Sequence, residues 1–292
     1  MNFKEDIKNF RENHKANDRE IGNAVFRYWL SGDGEHTYVL LPGGMGSGEF
    51  FYNQILALEK YGKVLTLDYP IQLKDNNSMA DGIVALVDSL GLERAIYIGQ
   101  SYGGMIAQVI AKRHPEKIFG LVLSNTGTAS DKVIPSDEGL QKMILGQKKG
   151  LEVLKTAPYD QVEQHMLKKM RHYLDPLEEK YKKYINDIFE AMVKALPRER
   201  NLLMTGLLFD FHQNQRFTQK DFKKLQGRVM LVFSPDDKTF SEAVRSELIS
   251  LMPNPIVNSS LTGGHLAITV MIDDFINSIL NFQKSIDETI KF

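Results

Sequence analysis

Residues 95–110 run Ala95-Ile96-Tyr97-Ile98-Gly99-Gln100-Ser101-Tyr102-Gly103-Gly104-Met105-Ile106-Ala107-Gln108-Val109-Ile110. The first four form an unbroken apolar run, as expected of a strand covered on both faces. The last six begin a helical stretch. Between them lies Gly-x-Ser-x-Gly, with Ser101 at its centre. A strand that turns directly into a helix leaves no room for side chains beside the turning residue. Glycine is therefore needed on either side, and the hydroxyl of Ser101 projects from the sheet edge. The helix starting there also aims its first backbone N–H groups at any negative charge developing next to the serine. An ordinary glycine-rich turn is the plain alternative, and the rest of the chain decides between the two.

Outward from this point, short apolar runs alternate with helical stretches. Strands are predicted at 25–30, 38–41, 64–69, 95–99, 119–124, 229–234 and around 256–259. Helices are predicted at 50–60, 79–90, 102–113, 241–251 and 267–285. Val39-Leu40-Leu41 and residues 229–233 are continuously apolar rather than alternating, which indicates an α/β fold: a mostly parallel central sheet flanked by helices. Phe3, Ile7 and Phe10 recur at helical spacing and predict a short amphipathic helix ahead of the main fold, packed on its own protein. Membrane-surface contact is the weaker reading of that helix. Between 127 and 226 the strand signal stops and helical periodicity takes over. Ile185, Ile188, Phe189, Met192, Val193 and Leu196 fall on one face, an apolar stripe belonging to this inserted segment. Residues 131–226 hold 18 Lys and Arg against 14 Asp and Glu, a surplus of four in a chain of net charge −1. A solvated helical face is the ordinary explanation, and attraction of an anionic substrate the sharper one.

Composition narrows the chemistry. At 292 residues, 42% hydrophobic and 25% charged, the chain can bury one large domain carrying an insertion. With 36 basic and 37 acidic residues it presents no overall field for nucleic acid or anionic membrane. The absence of cysteine excludes disulfides, cysteine-ligated zinc, iron–sulfur clusters and thiol nucleophiles. The start, Met1 to Asp6, is charged and lacks the apolar core of a secretory signal. No run approaches the roughly 20 apolar residues that span a bilayer. A cytoplasmic protein is the expectation. No metal-ligand cluster or cofactor motif stands out, so no cofactor is expected.

A serine hydroxyl is a weak nucleophile at neutral pH and needs a base, itself oriented by a carboxylate. Of seven histidines, His265 differs from the others. It lies in Thr262-Gly263-Gly264-His265-Leu266, after the last predicted strand and before the last helix. The carboxylate should follow another strand, and Ser234-Pro235-Asp236-Asp237 follows residues 229–233. Asp237 is favoured, with Asp236 beside it and Asp210, next to Phe209 and Phe211 in the insertion, as the alternatives. The loop Pro42-Gly43-Gly44-Met45-Gly46-Ser47-Gly48 lets backbone amides approach a ligand closely. Its expected oxyanion donor is the N–H of Gly44 or Met45, with the N–H of Tyr102 as the second. A phosphate cradle is disfavoured because no Gly-Lys-Ser/Thr closes the loop, and no lysine follows it before Lys60.

The order Ser101, Asp237, His265, together with the elbow, the glycine loop and the late Gly-Gly-His, resembles the α/β-hydrolase fold superfamily over residues 24–287. Residues 51–58, Leu67-Asp68-Tyr69-Pro70 and residues 99–108 are also similar to the maspardin branch. The resemblance implies a core of residues 1–126 and 227–292, of which 1–20 is a helical extension, and a helical cap at 127–226. Many members carry His where Pro42 stands, but the donor there is a backbone amide. The nucleophile is serine, not the aspartate of the dehalogenases, and no member of the set of three is missing. The expected activity is cleavage of a small carboxylic ester, thioester or amide. Met143, Met166, Met170, Met192, Met204, Phe209 and Phe211 suggest an apolar pocket for the acyl part. The alternatives are a non-catalytic ligand-binding member of the fold and a C–C hydrolase or lyase using the same residues.

Overall fold

The computed structural model describes residues 2–92 and 95–290. Helix α1 (Phe3–Asn13) leads into strands β1 (Asn17–Ile21), β2 (Ala24–Ser31) and β3 (Thr37–Leu41). Then follow α2 (Tyr52–Leu58), β4 (Lys63–Leu67), α3 (Asn76–Ser89), β5 (Ala95–Gln100), α4 (Tyr102–Arg113) and β6 (Ile118–Ser124). Between β6 and the next strand the chain is helical: α5 (Val133–Ser136), α6 (Glu138–Thr156), α7 (Tyr159–Arg171), α8 (Glu179–Ala195), α9 (Arg198–Asn214) and α10 (Gln219–Phe222). The remainder is β7 (Val229–Val232), α11 (Glu242–Leu251), β8 (Ile256–Asn258), α12 (Ala267–Val270) and α13 (Ile272–Ile290).

The eight strands form one sheet in the order β1-β2-β4-β3-β5-β6-β7-β8. The β1/β2 and β2/β4 pairs are antiparallel and all others parallel. Successive residues of a strand point to opposite faces, and here each face has its own core. Val39, Leu41, Tyr97, Leu121, Leu123, Val229 and Leu231 pack with α3, α4 and α11. Tyr38, Leu40, Ile96, Ile98, Val122, Met230 and Val232 pack with α1, α2 and α13. This two-sided burial is why the central strands β3, β5, β6 and β7 are apolar along most of their length.

Four differences from the sequence reading have physical causes. The N-terminal segment 1–20 is not purely helical. After α1 it forms β1, whose polar residues Asn17-Asp18-Arg19-Glu20 sit at the sheet edge, so no apolar alternation marks them. Helix α3 starts three residues earlier than predicted, at Asn76, because the Asp75 side chain accepts the Ser78 N–H as an N-cap. The predicted helix 267–285 is divided at Met271, which leaves helical geometry (φ −112°, ψ 51°). The apolar stripe of the insertion is covered by different parts of the protein, which periodicity did not specify. Ile185, Ile188 and Phe189 of α8 join the cluster of α1 and α2, while Leu203, Met204, Leu207 and Phe211 of α9 join the opposite one.

His212, on α9, is fully buried, and its Nδ1 lies 3.2 Å from Gln147 Oε1. Burial lowers its pKa to about 4. In the unfolded chain the ring takes up a proton near pH 6.5, so folding excludes that proton. Its contribution is present in full above pH 6.5 and is lost as the pH falls through about 4. The loss is on the order of 3 kcal/mol at most. Urea midpoints of the wild type should therefore drop more steeply between pH 7 and pH 4 than those of His212→Gln. Parallel pH profiles would refute this.

Candidate active site

The elbow is built as its sequence requires. Ser101 has φ 55° and ψ −121°, a left-handed backbone for a residue with a side chain. Such a conformation costs about 1–3 kcal/mol and persists only when the surroundings hold it. They do: the Ser101 N–H donates to Ser124 O (3.0 Å), and the Ser101 carbonyl accepts from Thr126 Oγ1 (2.6 Å) and Gly104 N (3.0 Å). Met105, Ile106, Val109 and Ile110 of α4 are all buried. At about 1.5–3 kcal/mol each, their burial outweighs the strain. A Cβ at Gly99 would lie 2.2 Å from Gly103 O, and one at Gly103 would lie 1.9 Å from Leu41 O, so neither position has room for a side chain.

The loop after β3 faces Ser101 across the same opening. Its carbonyls and amides are tied back to the β4 end: Tyr69 Oη donates to Pro42 O (2.8 Å), Tyr69 N to Gly46 O (3.1 Å) and Gly48 N to Asp68 Oδ1 (2.9 Å). The hydrogen bond to its carbonyl fixes Pro42 without the histidine common at that position. Among the described residues, the N–H groups of Gly44, Met45 and Tyr102 have no acceptor. The sequence reading put one oxyanion donor at Gly44 or Met45 and the other at Tyr102.

His265 sits in a 3-10 turn (Gly264–Leu266) after two glycines of positive φ, Gly263 (111°) and Gly264 (58°). Its Nδ1 lies 2.9 Å from Asp237 Oδ2 and 3.1 Å from Thr239 Oγ1. The other Asp237 oxygen accepts the Thr239 N–H at 2.8 Å. Burial pushes the Asp237 carboxyl up, but its hydrogen bonds to His265 and Thr239 and its electrostatic interaction with His265 outweigh this and hold it below the usual carboxylate range. Both side chains are largely dry, 7% exposed for His265 and 2% for Asp237. Gln100 Nε2 donates to the His265 carbonyl and Asn125 Nδ2 to that of Gly264, each at 3.0 Å, so the histidine loop is pinned to the elbow.

The two alternative acids have other work. Asp236 accepts from Ser234 Oγ (2.7 Å) and Gly263 N (3.0 Å), bracing the acid loop against the histidine loop. Asp210 accepts from the backbone and side chain of Asn76 (2.9 and 2.7 Å) and from Asn214 (2.6 Å). Asn76 in turn accepts from Tyr102 Oη (2.9 Å), so Asp210 braces α3 and α4 from beneath and does not reach His265.

Ser101 and His265 share a cavity of about 530 Å³. Gly44 and Met45 line it on one side, and Met143, Met166, Met170 and Met192 from α6, α7 and α8 on the other. Met204, Phe209 and Phe211 do not line it. Met204 and Phe211 are buried in the sheet core instead, because α9 turns that face inward. Residues that sequence spacing did not single out also meet here. The Tyr173 ring, in the turn after α7, stacks on His265 (4.9 Å, 22°), and Thr239 touches its Nδ1. No sequence signal pointed to Tyr173, whose place depends on how α7 packs. Among the described residues no cluster of three His, Cys, Asp or Glu could hold a metal, and no helix is long and apolar enough to cross a membrane.

With a carboxylate on Nδ1, the imidazole has Nε2 left to accept a proton, and a serine in a strained strand-to-helix turn opens onto the same cavity. That fold and constellation define a class, and residues 39–270 match the family described as alpha/beta hydrolase fold. The chain belongs to that family. Maspardin of Homo sapiens is 34% identical over 240 residues, covering 78% of this chain and 68% of its own length. A hydrolase from Pseudomonas aeruginosa PA01 superposes with a TM-score of 0.70 at 16% identity, over 92% of this chain and 98% of that one. The enol-lactonase of Burkholderia xenovorans LB400 does so with a TM-score of 0.70 at 15% identity, over 92% and 100%. At these identities the two structures bear on the fold alone.

Proposed function

We propose that this chain is a serine hydrolase that cleaves a small carboxylic ester, thioester or amide with an apolar acyl part. The observation that carries this is the dry His265–Asp237 pair at 2.9 Å opening on the cavity that Ser101 lines. Ser101 Oγ attacks the carbonyl carbon and gives its proton to His265 Nε2. The N–H groups of Gly44 or Met45 and of Tyr102 hold the oxyanion, and loss of one such donor in a related site costs about 3–4 kcal/mol. Collapse expels the leaving group, which takes the proton from His265, and leaves the acyl group on Ser101. Water then attacks, His265 takes its proton, and Ser101 leaves with it. The helices of residues 127–226 act as a cap over this chemistry and set the size of the acyl group.

Intact-mass analysis after incubation with a fluorophosphonate tests the reading. The wild type is expected to gain one adduct, while Ser101→Ala gains none and His265→Ala gains it far more slowly. A folded wild type that stays unlabelled, or labelling that persists in Ser101→Ala, would overturn it.

A further inference from the structure

The cavity wall is mainly apolar, with polar groups at the reacting end (Gln100, Ser101, Thr239 and His265) and at Gln147. Among the described residues, Lys169 on α7 is its only permanently charged side chain, and no Asp or Glu lines it. Lys169 is exposed while lining the cavity, so it stands at the boundary between the cavity and solvent. Among the described residues it has no ion-pair partner. The acids on the facing helix α8 are already engaged: Asp187 with Lys183 (2.8 Å) and Glu190 with Arg171 (3.4 Å). Lys169 lies in the last turn of α7, and Tyr173, in the turn that follows, stacks on His265. Met166 and Met170 of the same helix line the cavity with Lys169, as do Ser101 and His265.

We propose that Lys169 is a specificity-determining residue that selects substrates whose apolar acyl chain ends in a carboxylate. This rests on the hydrolase reading for its chemistry but not for its binding. A free cation facing a cavity without acids attracts an anionic end, and the mainly apolar wall favours methylenes over a compact polar ion. A neutral acyl chain of equal length fills the same wall and leaves the ammonium in water, so the two substrates differ by this one contact. The basic surplus of residues 131–226 acts in the same direction.

The test compares p-nitrophenyl monoesters of glutaric and suberic acid with analogues in which the far carboxyl is methyl-capped. The wild type should favour one of the free acids by about fivefold in kcat/KM, carried by KM rather than kcat because the contact is made equally in ground and transition states. The ratio should fall to near unity in Lys169→Met, invert in Lys169→Glu and shrink at high salt. In Ser101→Ala protein, calorimetry with the monomethyl and dimethyl esters of the same acids should give the same preference in Kd, lost when Lys169→Met is added. Failure of turnover with the binding preference intact would overturn the nucleophile and leave the role of Lys169 standing. A wild type without preference in either assay, or a preference that survives in Lys169→Met, would overturn that role.

Discussion

Asp237→Asn is expected to lower kcat on an activated ester about ten-thousandfold while leaving the melting temperature within a few degrees of the wild type. The size follows from the tautomer the side chain enforces. Asp237 Oδ1 accepts the Thr239 N–H at 2.8 Å, and Oδ2 faces His265 Nδ1 at 2.9 Å. An asparagine must keep its oxygen toward the Thr239 amide, which can only donate. Its NH2 then faces Nδ1 and turns that nitrogen into an acceptor, which moves the imidazole proton to Nε2. A histidine protonated at Nε2 cannot take the proton of Ser101, and the equivalent change in a Ser-His-Asp enzyme costs about 10⁴ in kcat. Steady-state kinetics with p-nitrophenyl acetate check the rate, and circular dichroism checks the fold. A loss of less than tenfold would mean that Asp237 does not set the tautomer. The same substitution at Asp236 should affect the rate much less, since Asp236 braces Gly263 and does not pair with the ring.

Gly103→Ala should prevent stable folding or cost more than about 4 kcal/mol, the range reserved for changes that the core cannot absorb. The added Cβ would stand 1.9 Å from Leu41 O, 2.7 Å from Leu41 C and 2.9 Å from Pro42 O. All three are backbone atoms, two of them in β3, a central strand that is buried along its whole length. No side chain can swing aside, so relief requires α4 to move off the sheet, and α4 carries the elbow. Gly206→Ala is the control with the opposite sign. Gly206 lies inside α9, and a Cβ there meets nothing within 4 Å. Replacing a glycine in a helix interior should stabilise the protein by about 0.5–1 kcal/mol. Thermal melts of the two variants and the wild type test both, and a Gly103→Ala protein that melts like the wild type would contradict the close approach of α4 to β3.

The parts of the candidate site that sequence made legible are those in which local geometry dictates residue type. A turn as sharp as the one at Ser101 excludes side chains at Gly99 and Gly103. The histidine loop needs positive φ at Gly263 and Gly264. Both leave a glycine signature that can be read without neighbours. The choice between Asp236 and Asp237 leaves none, because the two are adjacent and chemically identical. It is made by which carboxylate meets the ring and which meets the Gly263 amide. Tyr173 and Lys169 belong with this second group. Their positions depend on the packing of α7 over the sheet end, a relation between residues far apart in the chain.

The same division holds for the fold. Nearly continuous apolar runs marked the central strands, which are buried on both faces, and the order of runs and helical stretches sufficed for a mostly parallel α/β sheet. Strand β1 escaped because an edge strand is held by its backbone hydrogen bonds to β2, for which Asn17-Asp18-Arg19-Glu20 serve as well as any residues. Periodicity marked residues 127–226 as helical, but neither delimited the helices nor assigned their partners. Periodicity states that a face is apolar without saying what covers it. Only the tertiary structure decided that α8 packs with α1 and α2, that α9 packs into the opposite core, and that four methionines and one lysine were left to line the cavity between them and Ser101.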